Sequence, residues 1–394
     1  LLANHTCFPI QADHSLFLNL FVSHFLLNPK ESLMTLAPPN LRPRTVVELL
    51  DLAIRLYRRN FLTFIGIVAV MQVPIVLLQL LVSLATFGDT FAQLQDQDFF
   101  LNTQPEDFLT PTVYGGIIGT LCLTLLSWVL IQGVATAAMT RAVADHYLGE
   151  TITIVEAYRS IGQAWLPLVL ALVVAMLLAL VFLIWGLVPC LGWLTGIGIF
   201  LFWMFVVTPL VAPVVVLEAQ TPGRALRRAW DLARRRFWPV LGFVFILFIL
   251  GQLLITVPVT LISQVTQILV GSPLTGNGAG AFTVGTIVQT LTSLGFSLIY
   301  LPLQIAGITL LYFDLRVRTE GFDLAVAAET AAEPQITVSE ILAQTPGPAE
   351  GSIMTGNELK NFVLVSLIGV AGLFILWGAL AILFALLFSM GAGI

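Results

Sequence analysis

Cysteine and charge are both scarce in this 394-residue chain. Its three cysteines, Cys7, Cys122 and Cys190, lie far apart, which excludes a disulfide framework and a paired-cysteine metal site. Cys122 reads as a small buried hydrophobe. Charged residues make up 10% of the chain and hydrophobic ones 58%, whereas soluble domains carry roughly 25% charge. Such a chain could not cover a water-facing surface. Histidine is scarce too, and three of the four (His5, His14, His24) fall before the first methionine, Met34. That leaves Asp145-His146 as the one plausible acid–base pair. Sequence neighbours on a helix point different ways, so the pair is expected at a solvated surface. No Walker loop, HExxH or GxSxG pattern occurs. Neither a catalytic group, a cofactor nor a nucleic-acid partner is expected.

What the chain does have is a series of apolar runs longer than about 18 residues, the mark of helices that cross a bilayer. The spans are expected near residues 61–87, 113–139, 165–188, 193–217, 238–263, 286–312 and 362–388. The expected fold is all-α and polytopic: a six-span core at 34–318, a disordered linker at 319–360, and a seventh span with a short tail at 361–394. Residues 1–33 contain an apolar run from Ser15 to Leu27 with no basic segment before it and no small-residue cleavage site after it. That reads poorly as a signal peptide. Translation is expected to start at Met34, the alternative being a short interfacial helix.

Three polar intervals carry helix signals just ahead of a span pair. Thr45-Val-Val-Glu48 and Thr153-Ile-Val-Glu156 are capping boxes, and Thr221-Pro222 combines an N-cap with proline at the first helical position. The third interval, TPGRALRRAWDLARRRFW, is the clearest. Leu226, Ala229, Trp230, Ala233 and Phe237 form one stripe, with Arg224, Arg227, Arg228, Asp231, Arg234 and Arg235 opposite. An arginine-rich amphipathic helix of this kind is expected to lie flat on an anionic lipid surface. Arg58, Arg59, Arg227, Arg228, Arg234 and Arg235 are the candidate head-group contacts, so the bilayer and its anionic lipids are the expected partners.

All seventeen Lys and Arg residues fall before span one, between two and three, between four and five, or between six and seven. The positive-inside rule then places the N-terminus in the cytoplasm and the C-terminus outside, in the cytoplasmic membrane. Register supports an internal repeat. Thr45 and Thr221 both precede an aromatic, Phe61 or Phe237, by 16 residues, and Arg58-Arg59 matches Arg234-Arg235. The middle copy agrees at Ala157 and Trp165. The unit is an amphipathic helix followed by a two-span hairpin, used three times.

Glu218 followed by TPGRALRRAWDLARRRFWPVLG resembles the recurrent motif of the prokaryotic integral-membrane family described as glycerophosphoryl diester phosphodiesterase membrane domain. LRPRTVVELLDLAIRLYRRNF and LLYFDLRVRTEGFDL are similar to its two ends, so the resemblance covers about residues 40 to 325. It implies a membrane module of unassigned activity, tied to lipids or the envelope. The soluble catalytic domain of some relatives needs a His-Arg-Gly-type strand end and paired acidic ligands, which this chain lacks.

The span interiors hold no ionisable residue but several glutamines. Gln72, Gln132, Gln252 and Gln304 are the candidate intramembrane polar sites, expected to bond neighbouring helices more than a solute. Glu218 and Asp314, beside Arg316 at span ends, are expected as interfacial ion pairs. The leading reading is a non-enzymatic scaffold or lipid-associated module. A small-solute or lipid translocator is the alternative, with a membrane-bound lipid-processing enzyme behind it. A polar cavity lined by the four glutamines favours translocation, and glutamines paired across packed helices count against it.

Overall fold

A computed structural model describes residues 41–94, 111–149, 151–162, 164–218, 220–270, 278–332 and 355–391. The expectations for residues 1–33 and for most of the acidic loop and the linker lie outside them. Every described element is a helix. A short helix is followed by two long ones, three times over. The first set is α1 (Val46–Arg59), α2 (Phe61–Leu94) and α3, which runs from Pro111–Trp128 through a π-helical stretch, Val129–Ala135, into Thr136–Tyr147. The second is α4 (Ile154–Ile161), α5 (Trp165–Gly186) and α6, which joins Leu191–Phe202 to Thr208–Glu218 through the π stretch Trp203–Val207. The third is α7 (Pro222–Arg235), α8 (Phe237–Gly251, π at Gln252–Thr256, then Val257–Val270) and α9 (Gly278–Glu320). Helices α10 (Phe322–Ala332) and α11 (Gly356–Gly391) follow.

Six helices among the described residues are long and apolar enough to cross a membrane. They are the two long helices of each set, as expected, and the chain is an all-α integral membrane protein. The outward faces agree with this. On α5, Leu177, Leu180, Val181 and Ile184 are all more than half exposed, a contiguous apolar surface that a water-soluble protein would not present. Cys122 is exposed as well, not buried as expected; its thiol lies on a helix with little cover from its neighbours.

The helices pack in a cyclic order. The second long helices, α3, α6 and α9, touch one another at the centre. Each first long helix lies against its own partner and against the second helix of the preceding set: α5 on the π stretch of α3, α8 on that of α6, and α2 on α9. The short helices do likewise. α4 packs on α3 and α2, α7 on α6 and α5, and α1 chiefly on α9.

This order corrects one expectation. The stripe of α7 does not meet lipid, since Leu226, Ala229, Trp230, Ala233 and Phe237 are all buried in the protein core. Phe202 of α6 stacks on Phe237, with centroids 4.5 Å apart. Leu49, Ala53 and Tyr57 of α1 and Ala157 and Ile161 of α4 are buried too. The amphipathic helices seal one end of the bundle. The capping boxes at Thr45–Glu48 and Thr153–Glu156 form in both directions. Thr221 occupies the N-cap of α7 but its side chain makes no capping bond.

The linker needs correction at its start. Helix α9 runs on to Glu320, Gly321 turns the chain with φ +64°, and α10 follows. Phe322 and Val326 are buried, so apolar contact orders a stretch whose composition suggested disorder. The C-terminal segment forms α11, which packs on the first half of α6. Gly198 makes this approach possible, because a Cβ there would collide with the Phe362 carbonyl. The Gly198 amide donates to Ser366 Oγ at 2.6 Å.

Candidate functional site

Two polar assemblies stand out, one at the charged end of the bundle and one inside it. The first is built on Glu218, the last residue of α6, whose side chain is fully buried. Tyr312 of α9 donates a 2.7 Å hydrogen bond to Glu218 Oε1. Arg228 of α7 donates to both carboxylate oxygens, at 3.1 and 3.3 Å, and also pairs with Glu320. Arg316 donates to the Tyr312 hydroxyl at 3.2 Å and to Glu320 at 3.1 Å, with its guanidinium 4.4 Å from the Phe322 ring. Burial alone would disfavour the charge on Arg228, but bonds and charge from Glu320 and Glu218 reverse this and raise its pKa. A second cluster joins the start of α1 to α9. Asp314 accepts from the Arg44 amide at 2.7 Å and from Arg318 at 2.8 Å, and Arg318 donates to the Arg44 carbonyl.

These contacts divide the six candidate lipid arginines. Arg58, Arg59, Arg227 and Arg235 are exposed. Arg228 and Arg234 are not lipid contacts but turn inward, the latter to Asp231 at 2.8 Å and to Glu358 of α11 at 3.3 Å. The reason is the supply of acceptors, since carboxylates from distant parts of the chain meet that side of α7. Asp145 is not solvated as expected. It is 7% exposed and accepts from Arg141 one helical turn earlier. His146 lies beside the Phe64 ring, with centroids 5.4 Å apart.

The second assembly is a cavity of about 130 Å³ where α3, α6 and α9 converge. Gln132, Thr136 and Thr140 of α3, Thr208 of α6, and Gln304 and Thr309 of α9 supply its polar lining, and no charged residue lines it. The π stretches shape these walls. Thr136 and Thr208 each follow one, and their hydroxyls donate to carbonyls five residues back, Ile131 at 2.9 Å and Trp203 at 3.0 Å. Pro209 follows Thr208, and a widened turn before it relieves the clash of the proline ring with the preceding helical turn. Thr309 donates to Ile305 at 2.8 Å. Thr140 is different. It is completely buried and its hydroxyl has no hydrogen-bond partner.

The four candidate glutamines therefore separate. Gln132 and Gln304 face this cavity. Gln72 pairs across helices, donating to Ser297 Oγ of α9 at 2.6 Å. Gln252 is exposed at the start of the π stretch of α8, away from the cavity lining. The threonines went unread in the sequence. The signal available was their recurrence in the second span of every set, four residues after Gln132, Met204 and Ile305. Among the described residues no cluster of His, Cys, Asp and Glu could hold a metal ion.

Comparisons with protein-family models, with curated proteins and with solved structures find no match. Fold and site together define a class: an integral membrane protein of six long apolar helices with an uncharged polar cavity at its centre.

Proposed function

We propose that this protein is a non-enzymatic module of the cytoplasmic membrane that binds a small uncharged polar group at the centre of a bundle of three repeated units. One observation carries the reading: the cavity that sets two glutamines and four threonines among apolar side chains, to which the second helix of each unit contributes. A plain scaffold has no use for it. Leaving a buried hydroxyl such as that of Thr140 unpaired costs about 1–3 kcal/mol, which a bound polar group would recover. The absence of charge in the lining selects a neutral occupant.

The cyclic packing of the short helices supports the repeat. In the same proposal the arginine-rich end faces the cytoplasm, and α11 crosses the bilayer to place the C-terminus outside. Membership in the family resembled at Glu218–Gly242 belongs to this reading as well. It is supported by the roles of the motif residues, since Glu218, Arg228, Trp230 and Phe237 all build the sealed end. Glu218, Asp314 and Glu320 at that end are each engaged by arginines, which favours a structural over a catalytic use. Passage of the bound group across the membrane is the second reading, favoured by a further space of about 260 Å³ that shares Gln132, Thr208 and Gln304 and extends to Phe205 and Phe248.

The test is mass spectrometry of protein purified gently from its own membrane. A neutral species retained by wild type and lost from a Gln132→Leu/Gln304→Leu variant with unchanged thermal stability supports the proposal. Equal retention by both, or no retained neutral species, refutes it.

A further inference from the structure

The polar cavity is the first of three neighbouring spaces that share walls. The adjoining 260 Å³ region shares Gln132, Thr208 and Gln304 with it. That region in turn shares Phe205, Val244 and Phe248 with a groove of about 480 Å³ between α6, α8 and α11. The groove is lined by apolar side chains and glycines, including Trp238, Leu241, Gly242 and Val365. Phe205, Phe245 and Trp238 are about half exposed on the outer surface, so the groove opens toward the lipid. Hydrogen-bonding groups thus sit at one end and a long apolar trough at the other. Together the three spaces fall in the range of about 300–1,000 Å³ typical of small-molecule sites.

Depth matters as much as chemistry. Thr140 adjoins Arg141 at the charged end, while Gln132 is eight residues further along α3, about 12 Å deeper at 1.5 Å per residue. A charged head group drawn to that depth would cost at least about 2.5–3.5 kcal/mol. A neutral one would not, and the lining has no counter-charge to offer.

Resting on the reading of the cavity as a binding site, we infer that its occupant is a membrane amphiphile with an uncharged, hydroxyl- or carbonyl-bearing head and an acyl or similar apolar chain. The head meets Gln132, Thr140 and Gln304. The chain leaves past Phe205 and Phe248 and lies in the groove beside Gly242, under α11. Entry is lateral, from the bilayer.

The experiment uses the full chain in lipid nanodiscs with a diacylglycerol carrying a photoactivatable diazirine on one chain, and a phosphatidylglycerol with the same label. The diacylglycerol should label peptides containing Phe205 and Phe248, several-fold above the phosphatidylglycerol. Losing two neutral hydrogen bonds at about 0.5–1.5 kcal/mol each should weaken labelling by roughly tenfold in Gln132→Leu/Gln304→Leu. Thr140→Val, which is nearly isosteric, should weaken it by a smaller factor. Gly242→Leu fills the groove without a backbone clash, since a Cβ at Gly242 meets nothing within 4 Å, and should abolish the labelling. Equal labelling by both probes means adventitious bulk lipid only and overturns the inference. A retained species that depends on Gln132 and Gln304 but carries no chain and ignores Gly242→Leu overturns it while leaving the cavity reading intact. Independence from both glutamines removes the cavity reading itself.

Discussion

The Tyr312 hydroxyl donates a 2.7 Å hydrogen bond to Glu218, and both residues are almost wholly withdrawn from solvent. The bond ties the last residue of α6 to the last third of α9, and Arg228 of α7 closes the triangle. Tyr312→Phe removes a donor to a buried charge and should destabilise the protein by about 1.5–3 kcal/mol. Arg228→Ala should cost more, about 3–5 kcal/mol, because it leaves a buried carboxylate without its main partner. Unfolding midpoints of the detergent-solubilised variants check both. The order of the two losses is the informative result.

Neighbouring arginines on α7 should behave in opposite ways. Arg227→Gln with Arg235→Gln is expected to leave the unfolding midpoint within about 0.5 kcal/mol of wild type and to reduce copurified anionic lipid. Arg228→Gln with Arg234→Gln is expected to lose stability, because these side chains hold Glu218, Glu320 and Glu358. Lipid extraction and thermal melts on the same samples separate the pairs.

The capping boxes make the charged end acid-sensitive. The Thr45 and Thr153 amides donate to the carboxylates of Glu48 and Glu156, holding both below the ordinary glutamate pKa. A lowered folded pKa stabilises above the unfolded value and is lost as pH falls through the folded one. Hydrogen-exchange protection in the first turns of α1 and α4, corrected for intrinsic rates, should therefore fall once pH drops below the ordinary glutamate pKa. Thr45→Ala keeps that amide donor but loses the hydroxyl that accepts from the Glu48 amide, and this loss of the N-cap should destabilise α1 by about 1 kcal/mol at neutral pH.

Gly198→Val should displace α11 and spare the six-helix bundle. The new Cβ would collide with the Phe362 carbonyl and crowd Ser366 Oγ. Paired cysteines at Leu201 and Gly369, which face each other across this contact, should cross-link in the parent protein and fail to do so in the variant. Circular dichroism should stay close to the parent's.

Orientation can be read from Arg227, an exposed position on α7. A cysteine there should react with an impermeant thiol reagent only in inside-out vesicles. Reaction in intact cells would reverse the proposed topology.

Helix order, the six spans of the core and two of the three caps were legible because they depend on residues close in sequence: capping spacings, runs of apolar residues, proline at a first turn. The partner of each amphipathic stripe was not, since an apolar face is equally suited to acyl chains and to another helix. A clue was present in Ala53, Ala157, Ala229 and Ala233, small residues at the stripe centres that suit close helix packing better than anchoring in lipid. Arg228 and Arg227 are indistinguishable in sequence. What separates them is Glu320, supplied from far along the chain. The cavity was half legible. Gln132 and Gln304 were named, but nothing local showed that they share one cavity with four threonines while Gln72 finds Ser297 instead.

The cyclic packing has a consequence for how the chain is made. Helix α1 is the first described element to leave the ribosome, yet its main seat is on α9, synthesised some 250 residues later. Until α9 arrives, Leu49, Ala53 and Tyr57 lack their main partner within the protein. The nascent chain would hold them against the lipid surface or another apolar surface in the meantime. The ring is closed by its oldest segment last, so a chain halted before α9 would keep a complete middle set and an unseated beginning.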